Sequence, residues 1–146
     1  DETSIIRRSP EVEQERAVAI YDLLETNQFA PLGLLKGPFH LHLRLEDHNR
    51  LVLDIRDIKD ITLREVSVSL ISMRRLIRNY FQVCESYYVA IKRLTPSQIE
   101  TTDMARRTLH NEGSNDLLER LKDVVELDFN TARRLFTLVC VLHIRG

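Results

Sequence analysis

The residues best suited to chemistry lie in the stretch TDMARRTLHNEGSN, residues 102–115. Its only apolar residues are Met104, Ala105 and Leu109, yet strong helix signals flank it. At helical spacing Ile99, Asp103, Arg106 and His110 share one face, and Asp103 is placed to pair with Arg106 or Arg107. His110 and Glu112 are candidate acid–base groups, and Arg106 and Arg107 are candidate anion binders. A His/Glu pair without a nucleophile or a ligand set specifies no reaction. The competing reading is a capped, salt-bridged helix end, with His110 to Gly113 in its last turn, where the dipole favours His and Arg. A second pair, Arg133 and Arg134, extends the anion-binding set. Like Arg74 and Arg75, it falls in the first turn of an expected helix, where each cation costs about 0.3–1 kcal/mol against the macrodipole. Carboxylates of the chain would compensate, and so would a phosphate.

Metal chemistry has little support. His40 and His42 share a strand face, but Arg44 beside them disfavours a cation, and His42 is expected to face Asp54. His143 sits in an apolar helix and reads as a core or near-surface histidine. Cys84 and Cys140 each lie in an apolar helical pattern, and no CxxC pair exists. Buried free thiols in a reducing cytoplasm are expected. No metal and no cofactor is implied.

The elements that must position these residues are legible in the apolar patterning. The final helix, about Thr131–Arg145, is apolar on most sides, so other elements must wrap it. It is too short for a membrane, which takes about 20 apolar residues. Residues 1–8 are polar. Ser9-Pro10-Glu11 then starts a helix to about Thr26, with Val12, Ile20, Leu23 and Leu24 as its stripe and Asn27 at its end. Phe29 to Pro38, with two glycines and two prolines, reads as the loosest stretch. From Phe39 the period becomes two. Leu41, Leu43 and Leu45 answer Leu51, Leu53 and Ile55 across a loop at 47–49, with Asn49 left-handed. That register pairs Glu46 with Arg50 and His42 with Asp54. A third strand, about Thr62–Leu70, completes a meander.

The longest helix is expected over Met73–Leu94, where Met73, Ile77, Tyr80, Cys84, Tyr87, Ile91 and Leu94 form a 4-3 seam for a partner helix, within the chain or across a dimer. Thr95-Pro96-Ser97-Gln98 is a capping box opening the next helix, which Gly113 is expected to stop at Glu112. A short helix about Asp116–Lys122, an extended link at 124–127, and a cap at Asn130 or Asp128 follow.

With 146 residues, four glycines, four prolines and no repeat, the expectation is one domain, residues 1–146, with a sizeable core. A net charge of −1 disfavours a bulk polyanion binder, leaving nucleic acid the least favoured partner. No membrane partner is expected, and no signal segment is evident. The opening on Asp1 rather than Met points to a short segment ahead of it.

The segments PEVEQERAVAIYDLLE (10–25), CESYYVAI (84–91), TPSQIETTDMARRTLHNEGS (95–114) and DFNTARRLFTLVCVLHIRG (128–146) resemble the alphaproteobacterial uncharacterised protein family two-six-two. They cover almost half the chain. The resemblance implies a bacterial cytoplasmic protein and transfers no catalytic residue.

The expected fold is α+β: an N-terminal helix, a three-stranded antiparallel meander, then four helices ending in the buried one. The first functional expectation is a non-enzymatic interaction or regulatory protein, a homodimer or a subunit of a complex, motivated by the 4-3 helix rich in Tyr and Phe. The alternative is a protein that binds, or acts on, a phosphorylated small molecule through His110, Glu112 and Arg106, Arg107, Arg133 and Arg134. It requires those groups to converge on one pocket.

Overall fold

The computed structural model describes residues 10–33, 37–47, 49–93 and 95–143. The expected cap at Ser9, the seam's last residue Leu94, and His48 of the hairpin loop lie outside these residues. In order, the elements are α1 (Pro10–Glu25), β1 (Phe29–Pro31), β2 (His40–Glu46), β3 (Arg50–Arg56) and β4 (Thr62–Ser69). A 3-10 turn (Ile71–Met73), α2 (Arg74–Arg93), α3 (Pro96–Leu121), β5 (Val125–Leu127) and α4 (Phe129–His143) follow. The class is α+β, as the patterning predicts.

β2, β3 and β4 form the antiparallel meander in sequence order, with Glu46 opposite Arg50 and His42 opposite Asp54. The left-handed loop residue is Asp47, at φ 54°, rather than Asn49. Aspartate tolerates that region for the reason asparagine does, a short side chain that bonds locally. β3 is central and buried on both faces, so Val52 and Asp54 are covered along with Leu51, Leu53 and Ile55. Asp54 is tolerated there because Arg56 donates to it at 2.7 Å and Thr62 at 2.9 Å.

Phe29–Pro31, expected to be loose, is a strand. It pairs antiparallel with β5, Phe29 opposite Leu127 and Pro31 opposite Val125. Three residues are too few for a period to register, and the partner is almost a hundred residues away.

The helical half departs from expectation at Gly113. α3 runs 26 residues without interruption and is longer than α2, which has 20. The expected stop and second short helix are one continuous helix, so three α-helices follow the meander instead of four. A glycine inside a helix costs about 1 kcal/mol relative to alanine. Here it admits the ring of Phe136 from α4: a Cβ on Gly113 would stand 2.1 Å from the ring's Cζ. The glycine marks a close helix crossing.

The start of α3 is as predicted, with Thr95 capping the backbone of Gln98 in a complete capping box. The first half of the α2 seam, Met73, Ile77, Tyr80 and Cys84, is buried in the core. α4 is the buried helix, covering Ala132, Leu135, Phe136, Val139 and Cys140. Its cap is Asp128, which accepts from the Thr131 amide at 2.8 Å. Arg133 and Arg134 therefore fall in the second turn, where the dipole penalty has faded.

α1 packs on α4 with Ala19 buried; of the expected stripe Val12, Ile20 and Leu23 are half-buried, Leu23 against the core, while Leu24 is 79% exposed. Asn27 ends it by donating from its side chain to the Leu23 carbonyl at 2.7 Å.

Candidate functional site

On one side of the α1–α4 contact lies a half-open cavity of about 370 Å³. α1 supplies Gln14 and the row Glu15, Val18, Ala19 and Asp22, whose spacing of three, four and seven puts them on one face. α3 supplies Arg106, Arg107 and His110, α4 supplies Asn130, Arg133, Arg134 and Thr137, and α2 supplies Tyr80. The four arginines named from the sequence thus meet His110 around one hollow. Glu112 does not join them: it is on an exposed face of α3 and lines no part of the cavity.

His110 stands in mid-helix, not at a C-terminus, because α3 continues through Gly113. It is 8% exposed, with its ring 5.2 Å from that of Phe136 and 5.4 Å from that of Tyr80. Its Nε2 lies 2.8 Å from the Thr137 hydroxyl. That hydroxyl donates its own proton to the Arg133 carbonyl at 3.2 Å, so it accepts from His110 and fixes the Nε2–H tautomer. Ser114, fully buried one turn on, donates to the His110 carbonyl at 2.6 Å. Burial, then the charges of Arg133 and Arg106, push the imidazole down to about 4. At neutral pH it is an uncharged ring and a poor proton donor to a substrate.

The arginines differ in what they already hold. Arg106 and Arg107 share Asp103, at 2.7 Å and 3.1 Å, the pairing expected at that spacing. The Arg106 guanidinium also lies over the Tyr87 ring, 4.9 Å from its centre. Arg134 faces Asp22 at 3.7 Å, too long for a hydrogen bond. Arg133 has no carboxylate partner among the described residues. The Nε–H groups of Arg106 and Arg133 are both buried without an acceptor. Leaving such a donor unmet costs about 1–3 kcal/mol. Guanidinium groups thus reach one cavity from two helices, the chemistry that suits an anion rather than a cation.

Glu15, Asp22 and Thr137 are not site candidates on sequence alone, and Asn130 stands out there only as a possible helix cap. The signal available was the row of polar and small residues on α1, but only tertiary structure tells which side of that helix meets the arginines.

The remaining candidates are accounted for elsewhere. His42 bonds Asp60 at 3.2 Å on an open sheet face, and no cluster among the described residues is suited to a metal ion. Cys84 and Cys140 are buried free thiols, as predicted. A second hollow of about 690 Å³ lies across the α1–α4 contact, walled mainly by apolar side chains such as Leu23, Phe39 and Leu135. No described helix is long and apolar enough to cross a membrane.

No solved structure matches the chain. Among curated proteins, a UPF0262 protein of Rhodospirillum rubrum is 57% identical over 146 residues, covering 100% of this chain and 89% of that protein. One from Paramagnetospirillum magneticum is 56% identical over 141 residues, covering 97% and 89%. One from Azorhizobium caulinodans is 56% identical over 148 residues, covering 100% and 91%. Residues 1–145 also match the model of the uncharacterised protein family UPF0262, and with such relatives along its length the chain belongs to that family.

Proposed function

We propose that this protein binds a phosphorylated small molecule in the cavity between α1, α3 and α4. The observation that carries the reading is the convergence of four arginines, from α3 and α4, on one cavity, with Arg133 lacking a carboxylate partner among the described residues. A phosphate offers several strong acceptor oxygens to guanidinium N–H groups that line the cavity. Its charge would also offset the cluster of like charges that the fold gathers there. No residue is assigned a catalytic role, because the cavity presents no activated nucleophile and its imidazole is uncharged and spent on Thr137.

The test is isothermal titration of the full chain with inorganic phosphate and pyrophosphate. Saturable binding is expected, and Arg133→Gln should weaken it about tenfold or more, the loss of one charge-assisted contact. Absence of binding at millimolar phosphate and pyrophosphate would sink the proposal.

Association with a second copy or a protein partner is the second reading, favoured by the exposure of Val89 and Ile91 at the end of α2. Sedimentation equilibrium tests it, and a strict monomer over a wide concentration range counts against self-association. We also assign the protein to the cytoplasm, supported by two cysteines that stay free and unbridged.

A further inference from the structure

We infer that the ligand is a phosphorylated polyol or sugar, its phosphate held by the arginines and its hydroxyl groups by Glu15 and Asp22. The inference rests on the reading that the cavity holds a phosphorylated molecule.

The two carboxylates stand seven residues apart on the face of α1 that looks across at the arginines, roughly 10 Å along the helix. Neither is used up. Glu15 accepts one hydrogen bond, from the Tyr88 hydroxyl, which leaves most of its acceptor capacity open. Asp22 has only the long contact to Arg134. A wall of open acceptors facing a wall of guanidinium groups selects a molecule with an anion at one end and donors along the rest.

Several hydroxyls along one chain can meet two carboxylates roughly 10 Å apart, whereas a single ammonium meets one of them. A nucleobase is disfavoured for a different reason. Among the lining residues Tyr80 carries the large aromatic ring, and it is buried against Phe136 and His110, while Tyr87 lines no part of the cavity. The volume agrees: about 370 Å³ holds roughly a dozen waters at about 30 Å³ each, room for a phosphate and a short polyhydroxylated chain.

The test is calorimetric titration of the full chain with inorganic phosphate, ethyl phosphate, ribose 5-phosphate, phosphoethanolamine and adenosine monophosphate. Ribose 5-phosphate is expected to bind about tenfold or more tightly than ethyl phosphate, the discrimination of a site built to pair hydroxyls. Glu15→Gln and Asp22→Asn should each cut that ratio severalfold. Glutamine keeps an acceptor for Tyr88, and circular dichroism checks the fold of both variants. Equal affinity for ribose 5-phosphate and ethyl phosphate overturns the polyol inference and leaves the anion site standing. Preference for phosphoethanolamine or adenosine monophosphate overturns it too, giving the carboxylates to an ammonium or the cavity to a base. Failure of all five probes to bind overturns the anion site itself.

Discussion

Replacing Gly113 with alanine tests the crossing of α3 and α4 that sets the back of the cavity. The added methyl would stand 2.1, 2.3 and 2.7 Å from three carbons of the Phe136 ring. Carbon atoms rest at about 3.5–4.0 Å, so the ring or the helix must retreat by about 1.5 Å. The ring has nowhere to go: Phe136 is fully buried, with Tyr80 and His110 against it. Overpacking of this kind costs about 1–3 kcal/mol, and three simultaneous clashes argue for the upper end. Alanine returns about 1 kcal/mol of helix propensity. The net expectation is a loss of about 2 kcal/mol, read as a lower midpoint in urea denaturation followed by circular dichroism, with an unchanged slope. The decisive step is the cycle with Phe136→Leu. In that background Gly113→Ala should become close to neutral, a coupling of about 1 kcal/mol or more. If Gly113→Ala stabilises the native protein, or costs the same in both backgrounds, the glycine is not there for the phenylalanine.

Two further outcomes follow from buried titratable groups. The His110 imidazole is held near 4 in the fold against an ordinary 6.5, so the unfolded chain takes up more protons between those values. Its contribution of about 3 kcal/mol is intact above pH 6.5 and is lost as pH falls toward 4, and His110→Gln should flatten the pH dependence of urea stability over that window. An unchanged slope in the variant would refute this. Burial pushes the Cys84 thiol up to about 11 and Cys140 well above its usual value. Neither should react with a thiol reagent at pH 8 until the chain unfolds, so prompt labelling of the native protein contradicts the packing.

The elements legible in the sequence are those whose pattern repeats locally. The alternation from Leu41 to Ile55 contained the hairpin register, because a slip of one residue would turn Leu43 and Leu53 to the wrong face. The Thr95–Gln98 capping box announced the start of α3 for the same local reason. What escaped depends on distant partners. Gly113 looks like any helix stop until Phe136, 23 residues on, is seen in the space a side chain would fill. β1 is three residues whose partner lies at 125–127. The arginine pairs are visible in the sequence as residues, but the carboxylates of α1 that share their cavity depend on which face of a weakly patterned helix turns inward.

The cavity's walls are far apart along the chain, as the bond from the Gln28 amide to the Thr131 hydroxyl between the α1 and α4 ends illustrates, spanning 103 positions. During synthesis α1 emerges early, whereas α4, the helix it chiefly packs on, leaves the ribosome much later. The cavity therefore takes shape late, and only in chains whose synthesis has passed α4. A ligand taken up there would reward finished molecules and leave truncated ones unprotected, so that cellular supply of the ligand would bear on how much complete protein survives.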